Sequence, residues 1–183
     1  MARVPYLSRD NAKPETAPLW DRLEAERKRP TAHIFRALAH APAQLDGFLT
    51  YANALRDASR LDPKLRELAI LSVGYATDST YEIAHHQSHG LKAGLTKDQL
   101  AAVPDFEKSD LFDDLQKAVI RLARESTLRV HVSDVTWKAV AAHLGEQEMV
   151  ELTMTVAWYN SGVRLMGLLD IELEESYLDQ LPS

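Results

Sequence analysis

The chain has 183 residues, of which 45% are apolar, enough for one domain with its own core. Its 21 basic and 27 acidic side chains give a net charge of −6 and are spread along the chain without a basic patch, which argues against nucleic acid as a partner. No cysteine occurs, which excludes disulfides, thiolate metal sites and cysteine nucleophiles together. Met1–Tyr6 lacks the apolar core of a signal peptide, and the apolar C-terminal region is broken by Glu148, Glu151, Asn160 and Arg164. The expectation is a cytoplasmic protein with no membrane span.

Residues 1–13 show little periodicity and read as an arm. Pro14 and Pro18 then open a charged helix through about Arg29, with Leu19, Trp20 and Leu23 as its apolar side. Pro30 breaks the pattern, His33–Ala39 makes a short second helix, and Pro42 starts a third that runs to about Ala58 with Leu45, Phe48, Leu49, Ala52 and Leu55 at helical spacing. Asp62-Pro63 is a helix-start signal, and the helix it opens reaches about Thr77 with Leu65, Leu68, Ala69 and Val73 facing the core. Asp78-Ser79 turns the chain into the next helix, so these two are expected to form an antiparallel hairpin.

That next helix carries the most distinctive stretch, Ser79-Thr80-Tyr81-Glu82-Ile83-Ala84-His85-His86-Gln87-Ser88-His89. At about 100° per residue, Glu82, His85, His86 and His89 share one stripe. Spacing alone leaves two readings open. Ser79 and Glu82 fit a capping box with the histidines as a solvated face, the usual fate of polar stripes. The alternative is a stripe that lines a pocket, where a histidine titrates near neutrality and a buried carboxylate one turn away tunes it. Glu67, near the middle of the preceding helix, meets this face only through a steep crossing or with help from another segment.

Gly94 ends the histidine helix, and Thr96 with Gln99 forms a capping box for a short one stopped by Pro104. Ser109 is expected to open a helix through about Glu125, Thr127–Val132 to be an extended connection, and Ser133 to cap a helix through Leu144. A last long helix over Glu146–Ile171 is apolar on most sides, and its burial is expected to be completed by another subunit. Glu67-Leu68 with Tyr75, and Glu151-Leu152 with Tyr159, form a weak internal repeat.

Arg66-Glu67-Leu68-Ala69-Ile70-Leu71, followed by Tyr81-Glu82 and His86, then Lys92-Ala93-Gly94-Leu95-Thr96, and finally Trp158-Tyr159-Asn160 with Arg164 and Leu165, resemble the carboxymuconolactone decarboxylase family in order and spacing. The resemblance spans nearly all of residues 30–172. It implies a single domain over residues 1–183, with 1–29 as an arm and helix and 30–172 as the family core. The implied fold is an all-α, AhpD-like helical bundle around the antiparallel hairpin, assembled as a homotrimer or homohexamer. In the family's peroxidase branch a Cys-x-x-Cys pair follows a glutamate and precedes a histidine. Those positions fall here on Ser79 and Glu82 for the cysteines, and on Glu67 and His86 for their partners. Serine and glutamate do no thiol chemistry, so Tyr81-Glu82 with His86 is similar to the decarboxylase branch instead. Ile83 stands where those decarboxylases usually carry an aromatic residue.

The resemblance implies a cofactor-independent lyase acting on a small ring acid or lactone, with no resident metal. His86 would transfer the proton or stabilise charge, Glu82 would orient it or share its proton, and Glu67 would complete the network. Tyr81, Arg66, Tyr159 and Asn160 are the expected substrate-binding residues, with Arg56 and Arg60 as further candidates for holding a carboxylate. Two other readings stay open. One is a metal site built on the i, i+4 pairs His85/His89 and Glu82/His86. The other is an oligomeric ligand-binding protein without chemistry.

Overall fold

A computed structural model describes residues 2–27 and 31–180. The described residues contain helices and no strands: α1 (Ala17–Arg27), α2 (His33–Leu38), α3 (Pro42–Asp57), α4 (Pro63–Ala76), α5 (Thr80–Ala93), α6 (Lys97–Ala102), α7 (Asp114–Arg129), α8 (Asp134–Ala141) and α9 (Glu146–Leu169). Short 3-10 segments cover Pro14–Thr16, Val103–Lys108 and Glu175–Gln180. The expected end of the first helix near Arg29 and the break at Pro30 lie outside the described residues.

The bundle is organised around α4. Asp62 caps it by accepting from the amides of Lys64 and Leu65, and Pro63 occupies the first turn, where no backbone donor is needed. Leu65 and the unbroken run Glu67–Gly74 are all buried, so α4 has no broad polar face and α5, α7 and α9 pack around it. Its Leu68, Ile70, Leu71 and Val73 are at most 1% exposed, and such side chains each contribute roughly 1.5–3 kcal/mol on burial.

The α4–α5 hairpin forms as the turn residues predict. Asp78 adopts a left-handed conformation, and the Ser79 amide donates to the Gly74 carbonyl at 2.9 Å. Gly74 permits the close approach of α5, because a Cβ there would meet Ile83 Cγ1 at 3.1 Å. Ile83, the departure from the decarboxylase pattern, therefore serves the helix contact. Gly94 ends α5 at φ 94°, a conformation that favours glycine. Gly94→Ala is expected to lower stability by about 1–2 kcal/mol from left-handed strain, read as a drop in melting temperature with activity retained.

Several boundaries differ from expectation. Pro104 does not stop the chain but sits in the first turn of the 3-10 segment after α6. Helix α7 starts at an Asp113/Gln116 capping box rather than at Ser109, leaving Leu111 at 47% exposure. The expected extended connection is partly helical. Thr127 bonds back to the Ala123 carbonyl at 2.7 Å and α7 continues to Arg129. Helix α8 stops at Ala141 instead of Leu144. Along α9, Val150, Met154 and Leu168 remain exposed in the single chain. In the repeat, Glu151 is not a second Glu67: it accepts from Ser59 Oγ and from the Arg60 and Leu61 amides, fixing the approach to α4.

Candidate active site

The buried polar residues of the hairpin converge on one point. Glu67 on α4 and Glu82 and His86 on α5 are only 6–7% exposed. His86 Nδ1 donates to Glu67 Oε2 at 2.6 Å, directly across the hairpin, so no third segment bridges them. His86 Nε2 lies 3.7 Å from Glu82 Oε1, which is one helical turn earlier. Ser79 caps α5 by accepting from the Glu82 amide, but the Glu82 side chain does not complete the expected box; it turns to His86 instead. Arg66 Nε backs Glu67 at 3.8 Å from its other oxygen.

The charges of this cluster follow from burial set against pairing. Burial pushes the Glu67 carboxyl up, but the charge and hydrogen bond of His86 outweigh it and hold the group below its ordinary 4.5. Burial pushes His86 down, while the charge and hydrogen bond of Glu67, aided by Glu82, raise it above 6.5. For Glu82, burial is the largest influence and keeps the carboxyl protonated to higher pH than usual, with the His86 charge opposing it. The pairing favours a Glu67 carboxylate against a protonated imidazole, whose Nε2 side faces a carboxyl that burial keeps protonated to higher pH than usual.

Glu82 and His86 form part of the wall of a cavity of about 1090 Å³ framed by α2, α3, α5, α9 and the C-terminal 3-10 segment. Glu67 stands behind His86, outside this lining. The walls are largely aromatic: Phe35, Phe48, Trp158 and Tyr159 face the space, and Tyr159 presents its edge to His86 with ring centroids 5.0 Å apart. Arg56, on the last turn of α3, also lines the cavity. Burial raises the Tyr159 hydroxyl, and the charge of Arg56 opposes that rise.

Three expected binding residues reach or border this space differently. Tyr81 lines the cavity, but its hydroxyl is committed to Glu174 Oε1 at 2.7 Å. Arg66 supports Glu67 and does not line the cavity. Asn160 points away: its Nδ2 donates to Thr127 Oγ1 and the Val156 carbonyl, and its Oδ1 accepts from Arg164, because α9 turns it about 100° from Tyr159. Arg60 is exposed and also lies outside the lining.

A clamp on the cavity's outer side was not foreseen. Glu174 accepts from Tyr81 Oη, His85 Nε2 at 2.7 Å and the His33 amide at 2.6 Å, and Tyr177 stacks on His85 with centroids 3.8 Å apart. Burial opposes charge on Glu174, but these donors bring its carboxyl down to about 2. Its contribution is therefore complete above the ordinary 4.5 and lost only as pH falls towards about 2. Glu174→Ala is expected to strand the buried Tyr81 hydroxyl at a cost of about 1–3 kcal/mol and to speed proteolysis within residues 171–180, read on a protease time course. No periodicity after residue 172 signalled this clamp. His85 is committed to Glu174, and no group of three or more His, Cys, Asp or Glu among the described residues is placed to hold a metal ion. No described helix is long and apolar enough to cross a membrane.

Residues 42–125 match the family model described as carboxymuconolactone decarboxylase family. Comparison with curated proteins gives no match. Among solved structures, the chain is similar to a variant of the debrominase Bmp8 in complex with 2,3,4-tribromopyrrole, at TM-score 0.82 and 16% identity over 98% of this chain and 97% of that one. It is also similar to the alkylhydroperoxidase AhpD core of an uncharacterized peroxidase-related protein from Ralstonia eutropha JMP134, at TM-score 0.78 and 18% identity over 100% and 98% of the two chains. A peroxidase-related protein from Silicibacter sp. TM1040 gives TM-score 0.80 at 12% identity, covering 96% and 93%. At such identities the likeness establishes fold alone. Residues 42–125 thus match the carboxymuconolactone decarboxylase family model, and the described residues adopt an all-α, AhpD-like fold.

Proposed function

We propose that the protein is a cofactor-independent carboxy-lyase acting on a small unsaturated lactone acid of the 4-carboxymuconolactone type. The observation that carries this reading is the buried Glu67–His86–Glu82 cluster at the wall of an aromatic cavity. In the reaction the bond to the departing carboxylate breaks, and its electron pair passes through the conjugated double bond into the lactone carbonyl. The ring carbon next to that carbonyl then takes a proton, and carbon dioxide leaves. Such a step needs a positive or donating group for the developing enolate and an acid for the carbon. The His86 imidazolium serves the first need, and His86 or the protonated Glu82 the second. Glu67 holds the imidazole orientation, and the aromatic walls exclude water from the carboxylate that leaves.

The ring ligand of the Bmp8 structure supports a cavity suited to small rings. With no cysteine in the sequence, the cluster works by acid–base rather than thiol chemistry. Assembly as a homotrimer or homohexamer belongs to the same reading, with exposed Val150, Met154 and Leu168 on α9 offering an apolar face. The test is direct. The lactone is generated in place from its precursor, and its ultraviolet absorbance is followed with and without the protein while carbon dioxide is collected. Accelerated loss with one carbon dioxide per lactone supports the reading, and no acceleration by folded protein rejects this substrate.

A further inference from the structure

We infer that Arg56 is the positioning residue for the carboxylate that the substrate keeps, so that the site selects a lactone diacid over a monoacid. This rests on the carboxy-lyase reading above and deepens it.

The electrostatics of the cavity lining single out Arg56. Of its carboxylates, Glu82 faces His86 at 3.7 Å, Glu174 accepts from Tyr81, His85 and the His33 amide, Glu26 pairs with Arg22 at 2.7 Å, and Glu175 stands exposed on the outer segment. Of its two arginines, Arg36 donates to the Leu7 carbonyl and lies over the Tyr6 ring. Arg56 reaches the Tyr159 hydroxyl as a donor and its charge acts on Glu82 and His86, but no close ion pair joins it to a described carboxylate. The arginines that do pair closely with carboxylates, Arg9, Arg22 and Arg121, do not line the cavity. A cation held beside the reacting groups, with no close carboxylate partner of its own, is suited to an anionic ligand.

Chemistry then decides which carboxylate it holds. A guanidinium paired to the departing carboxylate would stabilise its charge in the ground state and oppose loss of carbon dioxide. Paired to a second carboxylate that remains in the product, the same guanidinium binds ground state and transition state alike and leaves the departing group against the aromatic walls. Arg56 therefore sets affinity and register, while the His86 cluster sets the rate.

The experiment uses the full-length protein and two stable probes: the saturated lactone diacid, which has no conjugated path for the electron pair, and the same molecule methylated at the retained carboxylate. Binding of both is measured by calorimetry for wild type, Arg56→Gln and Arg56→Lys, and lactone turnover is measured beside it. Wild type is expected to prefer the diacid by at least about tenfold, Arg56→Gln to bring the two probes within about twofold, and Arg56→Lys to fall between. In turnover, Arg56→Gln raises KM about tenfold with kcat within about threefold. Unchanged melting temperature is expected, since Arg56 is exposed. Failure of wild type to prefer the diacid, a preference that survives in Arg56→Gln, or a loss confined to kcat would each overturn the inference. Diacid preference that depends on Arg56 in a protein with no turnover would uphold the anchor and reject the carboxy-lyase reading alone.

Discussion

His86→Gln is expected to lower the rate of lactone decarboxylation by about 10²- to 10⁴-fold, the range a positioned general acid or base supplies. The variant keeps a polar group of similar volume facing Glu67 but carries no titratable proton. The loss should fall mainly on kcat, because in the proposed reaction His86 acts on charge that develops in the transition state and Arg56 on the ground-state anion. Circular dichroism and the melting transition show whether the fold survives, since His86 sits against the hairpin at only 7% exposure. An inactive but folded variant assigns the loss to chemistry. Unchanged kcat would remove His86 from the mechanism.

Glu67→Ala is the second large effect, and it strikes stability as well as rate. It leaves His86 buried without its main partner, and breaking a buried pair in this way costs about 3–5 kcal/mol. For a chain of this length that corresponds to a fall of roughly 10 °C in melting temperature. Glu67→Gln isolates the charge from the cavity that alanine would leave. Without the carboxylate, burial is the dominant influence on His86 and its pKa falls, so the alkaline limb of the rate profile moves to lower pH. The stability profile follows from the signs of the two shifts. The raised His86 contributes fully below its ordinary 6.5 and loses that contribution as pH rises through its higher folded value. The lowered Glu67 contributes fully above 4.5 and loses it as pH falls through its lower folded value. Greatest stability from this pair therefore spans the interval between 4.5 and 6.5, and Glu67→Gln flattens it.

The elements that were legible in the sequence are those whose ends carry local signals. Asp62-Pro63, Ser79, Gly94 and the Thr96/Gln99 box each mark a boundary that the chain uses, because capping is decided within three or four residues. The start of α7 is ambiguous in sequence because Ser109 and Asp113 are both capping residues, and only Asp113 has a glutamine three positions later to return the bond. Thr127–Arg129 looked extended because Thr127, Arg129 and His131 alternate with Leu128, Val130 and Val132, yet Leu128 and Val130 are exposed and bury no strand face.

At the site, residue type and helical spacing were enough to put Glu82 and His86 on one face. Glu67 joins them across the hairpin, and the close approach of α4 and α5 at Gly74 is visible only once Ile83 is packed against it. Arg66 is the carboxylate-binding residue the sequence puts forward, with Arg56 and Arg60 as further candidates, yet the turn of α3 brings Arg56, and neither of the others, to the cavity. Asn160 follows Tyr159 directly in sequence and yet faces the opposite packing, a difference of one helical step. Glu174 lies beyond the region of resemblance and touches α5 across a long separation in sequence, for which no local pattern exists.

The most direct measurement is the reaction in deuterium oxide with wild type and His86→Gln side by side, analysed by mass spectrometry of the product with collected carbon dioxide. The expected result is one deuterium on the ring carbon next to the lactone carbonyl and one carbon dioxide per turnover, fast in wild type and near the uncatalysed rate in the variant. Equal rates in the two folded proteins, or no decarboxylation by either, would contradict the assignment of the Glu67–His86–Glu82 cluster as the acid–base machinery of a carboxy-lyase.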